Sequence, residues 1–173
     1  RVRWADQFHM MPVEWPVADG GNGHWYGLLR TESFTWSQVK AEAEALGGYL
    51  ATVTSQAEDE FIESLLLSDE VKPLAFVRSE ADIDVGPWTG GFQRPGSLEP
   101  VGGYRWITSE AFVHPGWLDG QPSLVESFGV VVYTGHPTTA DGIGWSEHPF
   151  EPNNTGAHAI PSSALVEFEP AGD

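Results

Sequence analysis

Apolar residues recur at helical spacing twice within the first half of the chain. Trp36, Val39, Ala43 and Leu46 fall on one face of a helix that starts after Thr35. Thr35 and Gln38 form a capping box, in which the hydroxyl accepts the N3 amide and the Gln side chain reaches back. Gly47 and Gly48 stop this helix, because glycine takes the left-handed cap conformation freely. Ser55 and Glu58 predict a second box, and Ala57, Phe61, Ile62, Leu65 and Leu66 predict the buried face of a helix ending near Ser68. Before, between and after the helices the pattern is strand-like. A first strand is expected over 25–30 and a short one over 49–53, followed by Leu74 to Val77, Pro87 to Phe92, Tyr104 to Thr108, Phe128 to Tyr133, Gly142 to Trp145 and Ala164 to Phe168. Early helices followed by short strands with Gly- and Pro-rich connections predict an α+β fold on a mostly antiparallel sheet.

Composition narrows the class. The 173 residues fit one domain, 19–173, with residues 1–18 as an arm pinned by Trp4, Phe8 and Trp15. The net charge is −17, from 25 acidic and 8 basic residues, which repels nucleic acid and anionic membranes. No apolar run approaches the roughly 20 residues of a membrane span, so membrane insertion is not expected. There is no cysteine, which excludes disulfides, thiolate metal sites and a Cys nucleophile. Residue 1 is Arg rather than Met, as in a mature or excised segment whose signal has been removed.

Several motifs occur in a telling order. They are Trp36, Ala43, Gly47-Gly48, Leu50-Ala51, Val53, Ser55, Glu58 and Phe61; Trp88-Thr89-Gly90-Gly91; and Tyr104-Arg105-Trp106. Trp117-Leu118-Asp119-Gly120-Gln121-Pro122, Trp145-Ser146-Glu147 and Ala164-Leu165-Val166-Glu167-Phe168-Glu169 follow. Together, from about Gly20 to Glu169, they resemble the C-type lectin-like domain in its bacterial, secreted, disulfide-free form. The resemblance implies that Ala43 with Val166, and Phe128 with Phe150, stand where the family places two disulfides. Both pairs are apolar, so buried contact is expected to replace the crosslinks. A buried Phe is worth about 1.5–3 kcal/mol, comparable to the roughly 2–4 kcal/mol of a disulfide.

The resemblance also implies a ligand loop. In calcium-binding members a Glu-Pro-Asn or Gln-Pro-Asp triplet with a cis proline precedes the Trp-Asn-Asp strand. There it shares a calcium ion, which takes about 6–8 oxygens, with two sugar hydroxyls. Glu151-Pro152-Asn153 matches in letters but follows Trp145, so it is expected to be a turn before the last strand. The equivalent by position is Gln121-Pro122-Ser123. The expected ligand-binding set is Gln121, Ser123, Glu126, Ser146 and Glu147, with Gln121, Glu126, Glu147 and Asp119 as metal ligands. Ser123, Ser146 and Glu147 depart from the family pattern, and few full charges face the ion. Ca2+ binding is therefore expected to be weak or absent.

Other chemistry is thin. Asp82-x-Asp84-x-Gly86 lacks the further acids of a calcium loop and is expected to be a solvated turn. The six His show no metal-binding spacing, and most are expected on the surface or in loops. Trp106, Trp117 and Trp145 are expected in the core, whereas His114, Tyr133, His136 and His148 are candidates for a sugar-facing surface. The expected function is a non-catalytic extracellular or cell-surface recognition domain that binds glycan through the long-loop face. The alternative is a protein-interaction or structural module of a larger secreted or surface protein, with no sugar binding. The expected partners are a glycan or a surface protein, and homo-assembly is expected through residues 1–18. A related fold serves formylglycine-generating enzymes, whose copper-binding cysteines are missing here.

Overall fold

The computed structural model describes residues 3–99, 102–123, 129–135 and 142–171. A 3-10 turn at Trp4–Gln7 leads into β1 (Phe8–Glu14), β2 (Trp25–Arg30), α1 (Trp36–Ala45) and β3 (Tyr49–Leu50). Then come α2 (Gln56–Leu66), α3 (Lys72–Ala75), β4 (Val77–Arg78), β5 (Asp84–Gln93) and β6 (Tyr104–Trp106). The chain closes with β7 (Gly129–Gly135), β8 (Ile143–Pro149) and β9 (Ser163–Phe168). The strands join in the order β1-β2-β9-β5-β7-β8, with β3 on β9 and both β4 and β6 on β5. Pairing is antiparallel except for the Trp88–Ala164 bridge between β5 and β9.

The sheet is a middle layer. Tyr26 and Leu28 of β2, Val131 and Tyr133 of β7 and Leu165 of β9 enter one core cluster with Ile62 and Leu66 of α2. Their sequence neighbours Leu29, Val130, Val132, Ala164 and Val166 enter another, with Trp36, Val39 and Ala43 of α1. Successive strand residues point to opposite faces, so α1 and α2 cover different faces of the sheet. This double burial explains why β7 reads Val130-Val131-Val132-Tyr133 rather than alternating with polar residues. Ala43 and Val166 are fully buried in the same cluster. Phe128 lies outside the described residues, while Phe150 packs edge-on against Trp36 at 5.5 Å.

The first helix follows its sequence signals. Thr35 accepts from the Gln38 amide, the Gln38 side chain returns the bond, and Gly47 ends the helix at φ +92°. The second box closes only halfway. Ser55 accepts the Glu58 amide at 3.1 Å, but the Glu58 carboxylate turns inward. It accepts from the Tyr26 hydroxyl at 2.8 Å and from the Thr54 amide and hydroxyl at 3.1 Å each. The buried face of α2 therefore carries Glu58 and Asp59 beside Ile62 and Leu66, and Ala57 is exposed. Buried carboxylates are tolerated there because donors meet them.

Two further segments differ from the sequence expectation. Residues 72–75 are helical rather than strand, since Pro73 presets the backbone of a first turn. Residues 8–14, expected within an arm, form edge strand β1 despite Pro12. An edge position tolerates the missing N–H, and the β1–β2 register shifts on either side of Met10.

Three outcomes are expected. Ile62→Ala should destabilise the protein by about 2–5 kcal/mol in chemical denaturation, the usual cost of a core cavity. Ala57→Ser should change stability by less than about 0.5 kcal/mol. Burial raises the Glu58 carboxyl above its ordinary 4.5, and the Thr54 and Tyr26 donors offset part of that rise. An acid raised on folding adds stability that is complete below its unfolded pKa and is lost as pH climbs through the folded value. Relative to Glu58→Gln, the wild-type melting midpoint should therefore fall as pH rises above 4.5.

Candidate functional site

The site is built on β8. The segment 114–123 lies along this strand and is stitched to it through Trp145. The Trp145 amide donates to the Gly116 carbonyl at 2.8 Å, and the Leu118 amide donates to the Trp145 carbonyl at 2.9 Å. The approach is so close that a Cβ at Gly116 would sit 2.4 Å from the Trp145 ring. Farther along, the Gln121 side-chain carbonyl accepts the Glu147 amide at 3.2 Å. The Gln121-Pro122 peptide is cis, as the family resemblance implies for this triplet.

Aromatic packing holds this loop in place. Trp145 is fully buried and meets Trp106 at 5.4 Å, Phe112 at 5.7 Å, His114 at 5.4 Å and Trp117 at 5.8 Å. Trp106 is buried, whereas Trp117 is only half-buried and reaches the surface of the site. Such edge-to-face pairs add about 0.5–1.5 kcal/mol each beyond burial.

The loop meets α2 where His114 bonds Asp59 and elsewhere leaves a groove of about 870 Å³. Asp59, Glu60 and Glu63 of α2 form one wall, and the 114–123 segment forms the other. Gly144, Ser146 and Glu147 of β8 lie between them, with Ala157 and His158 at the rim. A hydrogen-bonded chain crosses the site. The Tyr133 hydroxyl donates to Asp59 Oδ1 at 2.7 Å, and His114 Nε2 meets Asp59 Oδ2 at 2.8 Å. Burial and the Asp59 charge hold the Tyr133 hydroxyl protonated, well above its ordinary range.

Burial, reinforced by Asp59 and Glu60, pushes the Glu63 carboxyl up to about 7. Burial drives His148 down to about 4, so it is neutral, and its Nε2 bonds the Ala159 carbonyl at 2.8 Å.

The residues expected from sequence are placed as follows. Asp119, Gln121, Ser123, Ser146 and Glu147 all line this groove, and Glu126 lies outside the described residues. Of the proposed sugar-facing residues, His114 and His148 line it, Tyr133 is fully buried behind it, and His136 lies outside the described residues.

The described residues do not fit a calcium cage. Gln121 is spent on the Glu147 amide, Glu147 accepts the Tyr104 hydroxyl, and Ser146 is bonded to Thr134. Among the described residues no three His, Asp or Glu side chains gather in a metal-binding arrangement. Asp82 and Asp84 both bond Arg78, at 2.9 and 2.7 Å. Glu151 and Asn153 are exposed. Asn153 accepts from the Thr155 amide and hydroxyl, and Asn154 sits at φ +64° in a tight turn.

Sequence reasoning missed the α2 wall. Its signal was present: Asp59 and Glu63 are four apart on a helix, hence neighbours on one flank.

No sequence-family model and no curated protein sequence matches the chain. Solved structures do match its shape. The C-type lectin domain of murine dendritic cell inhibitory receptor 2, in complex with N-glycan, aligns at 19% identity over 85% of this chain and 91% of that one, with a TM-score of 0.57. Human lithostathine aligns at 20% identity over 91% and 97%, with a TM-score of 0.59. The Ca2+-independent C-type lectin SPL-2 from Saxidomus purpuratus aligns at 21% identity over 88% and 91%, with a TM-score of 0.57. At these identities the likeness establishes architecture: the chain has the C-type lectin-like fold, in a form without cysteine.

Proposed function

We propose that this chain is a non-catalytic carbohydrate-recognition domain, acting outside the cell or at its surface. It binds glycan in the groove between α2 and the 114–123 loop, by direct hydrogen bonds rather than through calcium. The observation that carries this reading is the groove itself. It brings Asp119, Gln121, Ser123, Ser146 and Glu147 together with Trp117, Leu118 and Ile143. Hydroxyl-bearing ligands with apolar C–H faces need this mixture of directional polar groups and apolar surface. Structures of the same shape support it, one holding an N-glycan and one being Ca2+-independent.

Several observations argue against catalysis and against a calcium bridge. Asp59 orients His114 as in a base–orienter pair, but among the described residues no hydroxyl or thiol is hydrogen-bonded to that imidazole. The side-chain oxygens of Gln121 and Ser146 and one carboxylate oxygen of Glu147 already have protein partners. No helix of the described residues is long and apolar enough to cross a membrane.

A glycan array probed with and without chelator tests the reading. Binding should survive the chelator, and several millimolar calcium should leave the melting midpoint unchanged, because a ligand of the folded state would raise it. Ser123→Trp, at a half-buried position on the groove wall, should weaken glycan binding at least about tenfold, or ~1.4 kcal/mol, with the fold intact by circular dichroism. Binding that disappears with chelator, or that ignores Ser123→Trp, would overturn the proposal.

A further inference from the structure

The groove's charge inventory is one-sided. Some of its donors are engaged by the protein, while the Gln121 side-chain amide and the Ser123 hydroxyl make no bond among the described residues. The Gln56 amide donates to Glu60 at 2.9 Å, His148 Nε2 bonds the Ala159 carbonyl, and the Ser146 and Thr134 hydroxyls bond each other. His114 Nε2 is engaged by Asp59. Its acceptors are in surplus. Glu63 on the helical wall and Asp119 on the loop wall line the groove, and neither makes a hydrogen bond or ion pair among the described residues. Among the described residues no Lys or Arg lines it. A half-buried carboxylate without a donor is destabilised and is relieved by a proton or a cation.

We propose that the groove selects saccharides carrying a free ammonium group, of the 2-amino-2-deoxyhexose class, and rejects uronic, sialic and sulfated sugars. This rests on the carbohydrate reading above and narrows it. The ammonium supplies three donors and a positive charge to a site rich in acceptors and negative charge. An anionic sugar meets like charge on both walls.

The groups facing Glu63 and the groove are Asp59 and Glu60 on α2, His114 and Asp119 on the loop, Glu147 and His148 on β8, and His158 at the rim. Glu63 titrates near 7, so its charge is incomplete at pH 6 and nearly full at pH 8. The amine of a 2-amino sugar sheds its own proton over about the same interval, so affinity should peak near pH 7 and fall on either side.

Calorimetric titration in about 0.15 M salt, where long-range attraction is screened, tests this. The probes are the disaccharide of glucosamine, its fully N-acetylated form, a galacturonic acid disaccharide and a tetralysine peptide. The free amine should bind at least about tenfold more tightly than the acetylated form, and the uronic disaccharide should not bind. Glu63→Gln and Asp119→Asn should each shrink that preference. Glu63→Gln should also remove the fall on the acid side of that peak.

Asp119 is exposed, so Asp119→Asn keeps the test open if Glu63→Gln misfolds. Equal or tighter groove binding of the acetylated disaccharide overturns this inference and leaves carbohydrate recognition standing. Amine binding that ignores both substitutions, or that tetralysine matches, marks diffuse attraction to an acidic surface and also overturns it. If no saccharide of any class binds in the groove, the carbohydrate reading fails and this inference fails with it.

Discussion

The groove depends on the way Trp145 is used from both sides. Its backbone amide and carbonyl are spent on the loop at Gly116 and Leu118. Its ring is buried among the aromatics that the same loop and β6 supply. A stretch with little regular structure is thereby held in one place without a crosslink. Glycine at 116 is required because the loop comes too close for a side chain. Once the loop is fixed against β8, its distance from α2 is set, and the space between them becomes a site rather than a surface undulation.

The rest of the molecule makes that arrangement rigid. A sheet buried on both faces gives each central strand two sets of apolar contacts. The chain has no cysteine, so both clusters hold without disulfides. Ala43 and Val166, where the family resemblance implies a disulfide, both sit in the α1-side cluster. The buried Glu167 is anchored by donors from Tyr49 at 2.9 Å, the Thr52 amide at 3.1 Å and His24 at 2.6 Å. A closing strand locked at both its apolar and its polar positions has little freedom to shift register.

Much of this was legible in the residues. The capping pairs at Thr35 and Ser55 located both long helices, because a cap is a local event that tertiary structure rarely overrules. The order of tryptophan motifs gave the fold. What escaped was decided by contacts distant in sequence. Glu58 suits a capping box, but Tyr26 and Thr54 offered it better donors. Ala57 fits an apolar stripe, but the helix is rotated so that Asp59 faces Tyr133 and His114. The loop wall of the groove could be named from its motif. The helix wall showed only as two acids four apart, Asp59 and Glu63, and nothing local says that this flank will face residues 114 to 123.

Strand β1 has a consequence for how copies of this chain can meet. Its outer side is a free margin of the sheet, the sort of margin along which β-proteins accrete one upon another. Pro12 removes one amide hydrogen from this strand, and the slips around Met10 interrupt its regular register. Main-chain zippering of two molecules along this margin is thereby discouraged, and the mutual repulsion of two chains of net charge −17 adds to the barrier. Any pairing at this end of the molecule has to be made by side chains such as Met11 and Val13, which stand outward from it.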